Sequence, residues 1–364
     1  MNVVFAGGGT GGHLYPALAI ARALVTADPR VRPFFVGAER GIEKQILPAT
    51  GFPFALFPLH PLYRSDIGRN LQGIPQTLGS WRALGRVMQD RRPAVVVGTG
   101  GYASGLALGW AIIHGVPTAQ QVADAMPGLT ARATSRWARA LYLGFAAAKP
   151  RLQAGSRTAV LVTGNPVEPP PVPRPGRYEA RAKFGVGTDP SIQTVLVFGG
   201  SQGSEAVNQA VAEWLGSQLS PRLRVIWAVG TRHHEMWKSR TFPQTTIVPY
   251  LSPISDAYAA CDLAVARAGA MTCAELTAWG IPAILIPLPS AAADHQTSNA
   301  RALAEAGAGE LLVQNATLGA DLGALVAGVL GNQSRLATMA VRSRELGRVN
   351  AAKDIASDIL TRFT

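Results

Sequence analysis

The sequence predicts an α/β protein built as two doubly wound, Rossmann-like domains facing across a cleft. Three observations carry that prediction. Short apolar runs alternate with helical patterns along the chain; the alternation restarts after a proline-rich connector, Glu168-Pro169-Pro170-Pro171-Val172-Pro173-Arg174-Pro175; and each half opens with a strand that runs into a glycine loop. A chain of 364 residues can bury about two cores of ordinary domain size.

In the first half, Val3–Ala6, Pro33–Val36, Ala94–Val97, Val116–Gln120, Ala140–Leu143 and Ala159–Val162 read as parallel strands. Their continuous apolar runs suit a sheet covered on both faces. In the second half the pattern returns in Thr194–Phe198, Leu223–Val229, Thr245–Val248, Leu263–Ala266, Ala283–Pro287 and Glu310–Val313. The stiff connector marks the boundary. The expected domains are 1–163 and 164–339, with a helical tail, 340–364, returning to the first.

Composition sets the class. The apolar fraction of 48% is that of a globular protein, and no apolar stretch is long enough to span a bilayer. No basic leader or cleavage site precedes the first strand, so a protein of the cytosolic side is expected. Cys261 and Cys273 read as small core residues, since their spacing is not that of a zinc motif. The net charge of +12 is unevenly placed: residues 1–163 hold 17 Lys/Arg against 6 Asp/Glu, and the remainder 17 against 16. An anionic partner is therefore expected on the first domain.

One segment of that domain fits its charge. From Leu62 to Arg92 the apolar residues Ile67, Leu71, Ile74, Leu78, Trp81, Leu84 and Met88 recur at helical spacing, with Arg64, Arg69, Arg82, Arg86, Arg91 and Arg92 interleaved. Pro75 is expected to divide the stretch into two helices. The stripe suits two surroundings equally: the domain core, or an anionic membrane surface met by Leu71, Ile74, Leu78, Trp81, Arg82 and Arg86.

The loops carry the chemistry. Gly7-Gly8-Gly9-Thr10-Gly11-Gly12-His13 and Gly199-Gly200-Ser201-Gln202-Gly203-Ser204 each leave a strand and enter a helix, a context in which backbone N–H groups can face a phosphate. Read literally, the first satisfies a dinucleotide pattern with Glu39 as the ribose acid, but a bulky His13 at the helix entrance would crowd a pyrophosphate. His13 is either a packed or capping residue or a general base beside the cradle. A third loop, Gly98-Thr99-Gly100-Gly101-Tyr102-Ala103-Ser104-Gly105, should open at the same sheet edge and join the first in one diphosphate site. In the second domain Arg267 and a helix start at Gly269–Ala270 suit phosphates. Glu275 suits a ribose or an ordinary surface ion pair, and Asp294-His295-Gln296-Thr297-Ser298-Asn299 suits sugar hydroxyls.

These pieces together resemble the MurG family, the bacterial UDP-N-acetylglucosamine: lipid I N-acetylglucosaminyltransferases of peptidoglycan synthesis. The matching segments are GGGTGGHLYPALAIA at 7–21, GTGGYASG at 98–105, PGLT at 127–130, GNPV at 164–167, GGSQGS at 199–204, RAGAMTCAE at 267–275 and DHQTSNA at 294–300. They run in family order across nearly the whole chain.

The resemblance implies a GT-B fold and an inverting hexosyltransferase. GlcNAc would pass from UDP-GlcNAc to the C4 hydroxyl of the MurNAc-pentapeptide of lipid I. Inversion calls for one base at the acceptor hydroxyl, expected to be His13, and the resemblance divides the other residues between the two substrates. Asn165, Ser201, Gln202, Arg267, Ala270, Met271, Thr272, Glu275, Gln296 and Asn299 serve the donor; Thr10, Gly11, Gly12, Tyr102, Ser104 and Asp124 serve the acceptor. No cofactor and no metal are expected, because no Asp-x-Asp cluster is present. The implied setting is peripheral, at the cytoplasmic face of the inner membrane, with no nucleic-acid partner.

The chain departs from the family at Gln121, Val122, Ala123 and Asp124, where His-Glu-Gln-Asn is common, and at Ala131, Glu168, Ala268 and His295. Another GT-B enzyme using a UDP-sugar, such as a UDP-GlcNAc epimerase or natural-product glycosyltransferase, and a non-catalytic sugar-nucleotide-binding protein remain as alternatives.

Overall fold

A computed structural model describes every residue except 60–73, Ser201 and Gln218. The chain divides into two units, Met1–Val167 with Asn350–Thr364, and Glu168–Val349. The division thus falls at Val167/Glu168 rather than 163/164. The reason is local: Gly164 N–H donates to the Leu143 carbonyl, and Asn165 bonds to Gln121 and Ala123, so the GNPV segment stays with the first unit.

The first unit holds a parallel sheet of β1 (Asn2–Gly7), β2 (Arg32–Ala38), β3 (Phe54–Phe57), β4 (Val95–Gly100), β5 (Thr118–Val122), β6 (Ala140–Leu143) and β7 (Ala159–Leu161). Their order is β3-β2-β1-β4-β5-β6-β7. Strand β3 was not expected; Pro53 and Pro58 flank it, and an edge strand tolerates such neighbours because one side is unpaired. Helices α1 (Gly11–Ala27), α2 (Glu43–Ile46), α3 (Ile74–Arg91), α4 (Tyr102–Ile113) and α5 (Leu129–Thr134) connect the strands. Side chains alternate across the sheet. Val3 and Phe5 join a core with Leu14, Ile20 and Leu24 of α1; Val4 and Ala6 join another with Leu84 and Met88 of α3 and Leu108 of α4. Pro75 lies at the start of a helix, and the stretch ahead of it, where a first helix was expected, lies outside the described residues. Pro75 is the second residue of α3, where its missing N–H has no helical acceptor to lose.

The second unit contains α6 (Arg177–Lys183), β8 (Gln193–Phe198), α7 (Glu205–Leu215), β9 (Leu223–Ala228), α8 (His234–Lys238), β10 (Thr245–Val248) and α9 (Ile254–Ala260). It continues with β11 (Leu263–Ala266), α10 (Ala270–Trp279), β12 (Ala283–Leu285), α11 (His295–Glu305), β13 (Gly309–Leu311), α12 (Leu318–Leu330) and α13 (Gln333–Leu346). Its parallel sheet runs β10-β9-β8-β11-β12-β13 around a core that includes Val195, Trp214, Trp227 and Trp237.

The expected tail helix is two helices. α13 stays in the second unit and ends at Gly347, where a Cβ would stand 2.6 Å from the Thr277 carbonyl oxygen. α14 (Ala351–Phe363) belongs to the first unit and buries Ile355 and Ile359 in its core. The Tyr142 hydroxyl donates to Asp358 Oδ2 across 2.8 Å and fixes α14 to β6. No helix among the described residues is long and apolar enough to cross a membrane.

In each sheet the strand order reverses beside the first strand, between β1 and β4 and between β8 and β11. Ligands of open parallel sheets bind outside the carboxyl ends of the strands at such points. The glycine loops and Arg267 follow these four strands.

Candidate active site

In the first unit β1 and β4 bring two glycine loops side by side. Their register shifts between Ala6 and Gly7, so that Ala6 pairs with Gly98 but Gly7 with Gly100. The extra residue, Thr99, is buried and donates from Oγ1 to the His13 carbonyl at 2.8 Å, tying the third loop to the first turn of α1. His13 is half-buried, and its Nδ1 lies 3.1 Å from Thr10 Oγ1. Thr10 is the residue before α1, yet its side chain caps no helix N–H; its hydroxyl is committed to the imidazole. The ring lies against Gly100, where a Cβ would stand 2.5 Å from His13 Cδ2, and Gly100 and Gly101 both hold positive φ. Only glycine meets both demands. His13 is therefore held against glycine backbone and beside a hydroxyl.

Around it, Tyr102 stands over Gly9, Thr10 and Gly12 are exposed, and Gly11 is half-buried. Other expected acceptor residues are placed differently. Ser104 is buried and donates to the Gly101 carbonyl at 2.8 Å, so it shapes the loop rather than lining it. Asp124 is half-buried after β5. Beside it Gln121 donates from Nε2 to Asn165 Oδ1 at 2.7 Å, and Asn165 donates from Nδ2 to the Ala123 carbonyl at 2.9 Å. Asn165, expected with the donor, is thus a buried tie inside the first unit. Glu39, the candidate ribose acid of the dinucleotide reading, is exposed; the acid that reaches the loop is Glu43, four positions on, which sequence reasoning missed.

The basic stripe divides. Leu84 and Met88 are buried, and Trp81 packs against the core cluster they share with Phe57 and Leu108, so Trp81 is not a surface anchor. Leu78, Arg82 and Arg86 are exposed along one side of α3 at four-residue spacing. Ile74 begins the helix, and Leu71 lies outside the described residues.

In the second unit Arg267, directly after β11, is 7% exposed and organises three loops. Its guanidinium donates to Ser204 Oγ at 2.8 Å, to the Pro287 carbonyl at 2.8 Å and to Gln314 Oε1 at 2.8 Å. The Ile286 carbonyl completes the set at 3.2 Å. All these acceptors are neutral, and none of the ion pairs among the described residues includes Arg267. Burial pulls its pKa down to about 10, which leaves it charged at neutral pH. The result is a buried cation with no counter-ion among the described residues at the switch point, an arrangement that costs free energy until an anion arrives. Ser204 also accepts from Val207 N–H as the N-cap of α7.

Beyond Arg267, α10 opens at Ala270 with Gly269 before it and no side-chain cap from that residue, so a helix N-terminus with its partial positive charge stands at the same sheet edge. Ala270 is buried; Met271, Thr272 and Glu275 are half-buried. Glu275 Oε2 accepts from the Tyr258 hydroxyl at 2.7 Å. Burial raises the Glu275 pKa above the ordinary carboxylate value, the Tyr258 bond opposes the rise, and the charge of Glu168 adds to it. Gln296 Oε1 accepts from Leu288 N–H at 3.0 Å. Asn299 is fully buried and donates to the Ala268 carbonyl at 3.1 Å, so it braces the Arg267 loop rather than facing a sugar. Gln202 is exposed, and Ser201 lies outside the described residues.

Fold and loops together define a sugar-nucleotide transferase: the chain belongs to glycosyltransferase family 28, whose N-terminal domain matches residues 3–143 and whose C-terminal domain matches residues 194–359. It is 40% identical over 363 residues to the UDP-N-acetylglucosamine--N-acetylmuramyl-(pentapeptide) pyrophosphoryl-undecaprenol N-acetylglucosamine transferase of Syntrophotalea carbinolica, covering 98% of this chain and 97% of that one. The protein of the same name from Chlorobaculum parvum is 38% identical, with 99% of both chains covered. Among solved structures, MurG of Acinetobacter baumannii superposes with a TM-score of 0.78 at 27% identity over 99% of each chain. A UDP-GlcNAc 2-epimerase from Neisseria meningitidis shares the fold at 14% identity, with a TM-score of 0.65 over 100% of each chain.

Proposed function

We propose that this chain moves N-acetylglucosamine from UDP-GlcNAc to the C4 hydroxyl of the muramyl pentapeptide of lipid I, giving lipid II for peptidoglycan synthesis. The likeness to full-length transferases of that name supports the substrates. One observation carries the donor half: Arg267 is a buried cation whose partners among the described residues are all neutral oxygens, at the sheet edge where a diphosphate would bring two negative charges.

The residues divide the reaction between them. Arg267 and the N-terminus of α10 take up the charge that develops on the departing UDP oxygen. Glu275 accepts ribose hydroxyls beside Thr272, and Gln296 faces the sugar. His13, oriented through Nδ1 by Thr10, removes the proton of the acceptor hydroxyl as it attacks the anomeric carbon from the side opposite UDP. The new glycosidic bond forms as the bond to UDP breaks, so the configuration inverts. Protein groups balance the charge without a metal; transfer in excess chelator tests this. For lipid-borne acceptor, Leu78, Arg82 and Arg86 form the membrane face of a peripheral protein at the cytoplasmic leaflet.

The test is UDP release from UDP-GlcNAc with and without a soluble lipid I analogue. The expected result is release that depends on the acceptor. Donor binding with no acceptor-dependent release would overturn the reading.

A further inference from the structure

Beneath the first glycine loop lies a carboxylate that the reaction as described does not use. Glu43 is 0% exposed. Both its oxygens stand 3.0 Å from Gly9 N, and Oε1 also accepts from Ala38 N–H at 3.1 Å. The surrounding chain is cleared for it. A Cβ on Gly8 would fall 1.7 Å from Glu43 Oε1, one on Gly41 1.8 Å from Oε2, and one on Gly37 2.9 Å from Cγ. Three glycines from two loops and a strand thus make room for one acid, and among the described residues no ion pair neutralises it.

This arrangement alters what the loop can bind. An anion cradle needs backbone N–H groups directed at the ligand and a positive local potential. Here the Gly9 N–H is already spent on Glu43, and negative charge underlies the loop. The second unit is the opposite case, with the cation Arg267 buried behind its glycine loop. The two loops look alike in sequence and carry opposite charge.

We propose that Glu43 is a positioning residue that fixes the Gly8–Thr10 backbone, and through it the Thr10–His13 pair, and that its charge reserves this loop for a neutral hydroxyl by excluding phosphate. This deepens the reading of the first unit as the acceptor side and rests on it. The lipid diphosphate is then held elsewhere than on this loop, contrary to the expectation that loops one and three share one diphosphate site.

Two variants both disturb the Gly9 contact and differ in charge. Glu43→Gln removes the charge and replaces one of the two oxygens on Gly9 N–H with an amide donor; Glu43→Asp keeps the charge and withdraws it from Gly9. Both are checked for folding by thermal unfolding and for an intact second unit by UDP binding. Inorganic pyrophosphate, measured as an inhibitor competing with the lipid I analogue and by calorimetry in the presence of saturating UDP, is the probe. Loss of the charge should tighten pyrophosphate binding by about tenfold or more in Glu43→Gln, whereas Glu43→Asp should bind it no better than wild type. Both variants should lower kcat, by about tenfold or more for a mispositioned base. A merely structural glutamate would move kcat in both variants and pyrophosphate affinity in neither. Unchanged pyrophosphate affinity in Glu43→Gln, or unchanged kcat in both, would overturn the proposal. If wild type shows no acceptor-dependent UDP release, the functional reading fails instead, while the calorimetric comparison still reports on the loop.

Discussion

His13 illustrates how a residue acquires a role from its support. Its imidazole sits on Gly100 with Nδ1 beside Thr10 and its carbonyl held by Thr99. His13→Ala should lower kcat by about 10²–10⁴-fold, the usual worth of a positioned base, and leave UDP affinity unchanged. Thr10→Val should give a smaller loss of the same kind, since the ring keeps its place but loses its orienting bond. Arg267 makes the reverse prediction. Arg267→Lys keeps a charge but cannot reach Ser204, Pro287 and Gln314 at once, and UDP affinity should weaken by about 1–3 kcal/mol. Isothermal titration with UDP checks both.

Glu275 adds a pH signature. Its folded pKa is raised, chiefly by burial, and only the ionised form accepts two ribose hydroxyls. Donor KM should therefore rise as pH falls through a range above the ordinary glutamate value, and Glu275→Gln should abolish that dependence while weakening binding throughout. A KM for UDP-GlcNAc that stays flat across the acid limb in wild type would count against the assignment.

Among the elements, α3 and α14 show what amphipathic patterns can and cannot decide. The stripe of α3 was legible as a helix, but which face it buried was not. Leu84 and Met88 are fully enclosed and Trp81 packs beside them, so three of the seven apolar residues of the stripe, Trp81 alone among the membrane candidates, belong to the core. The outward residues are Leu78, at 52% exposure, with Arg82 and Arg86. Replacing these three with Ser, Gln and Gln should reduce retention on vesicles rich in anionic lipid and leave thermal stability unchanged. Each basic residue at such a surface contributes about 1 kcal/mol. Trp81→Ala should instead lower the unfolding temperature. For α14, Ile359→Ala removes a fully buried side chain and should cost about 2–5 kcal/mol of stability. The Asp358 carboxyl resists ionisation through burial, yet bonds from Arg362 and Tyr142 outweigh this and hold its pKa low. Its contribution is present above the ordinary aspartate value and fades as pH falls through the lowered one.

At the scale of the molecule, the chain leaves its first unit at Val167 and returns to it at Asn350. Truncation after Val349 should therefore destabilise the first unit, which loses Ile355 and Ile359, and spare UDP binding, because Arg267 and Glu275 lie wholly within Glu168–Val349. Calorimetry of the truncated chain with and without UDP reads this: one transition should fall in temperature and the other should still rise with nucleotide. Loss of UDP binding would show that the second unit depends on the tail.

Much of this was present in the one-dimensional pattern. Alternation of apolar runs with helical periods, a proline connector and glycine loops at strand ends determine two parallel sheets, because those signals act over a few residues and each strand carries its own. The loops also pointed to the two candidate sites, since the ends of β1 and β4 are neighbours in one sheet, as are those of β8 and β11 in the other. What only the tertiary structure decided are contacts between distant segments. Nothing local marks Glu43 as the acid beneath Gly9, Tyr258 as the partner of Glu275, or Ser104, Asn165 and Asn299 as braces instead of ligand groups. The sign of charge behind each glycine loop is set by which side chain the fold buries there, and burial is a property of the packed chain, not of any motif.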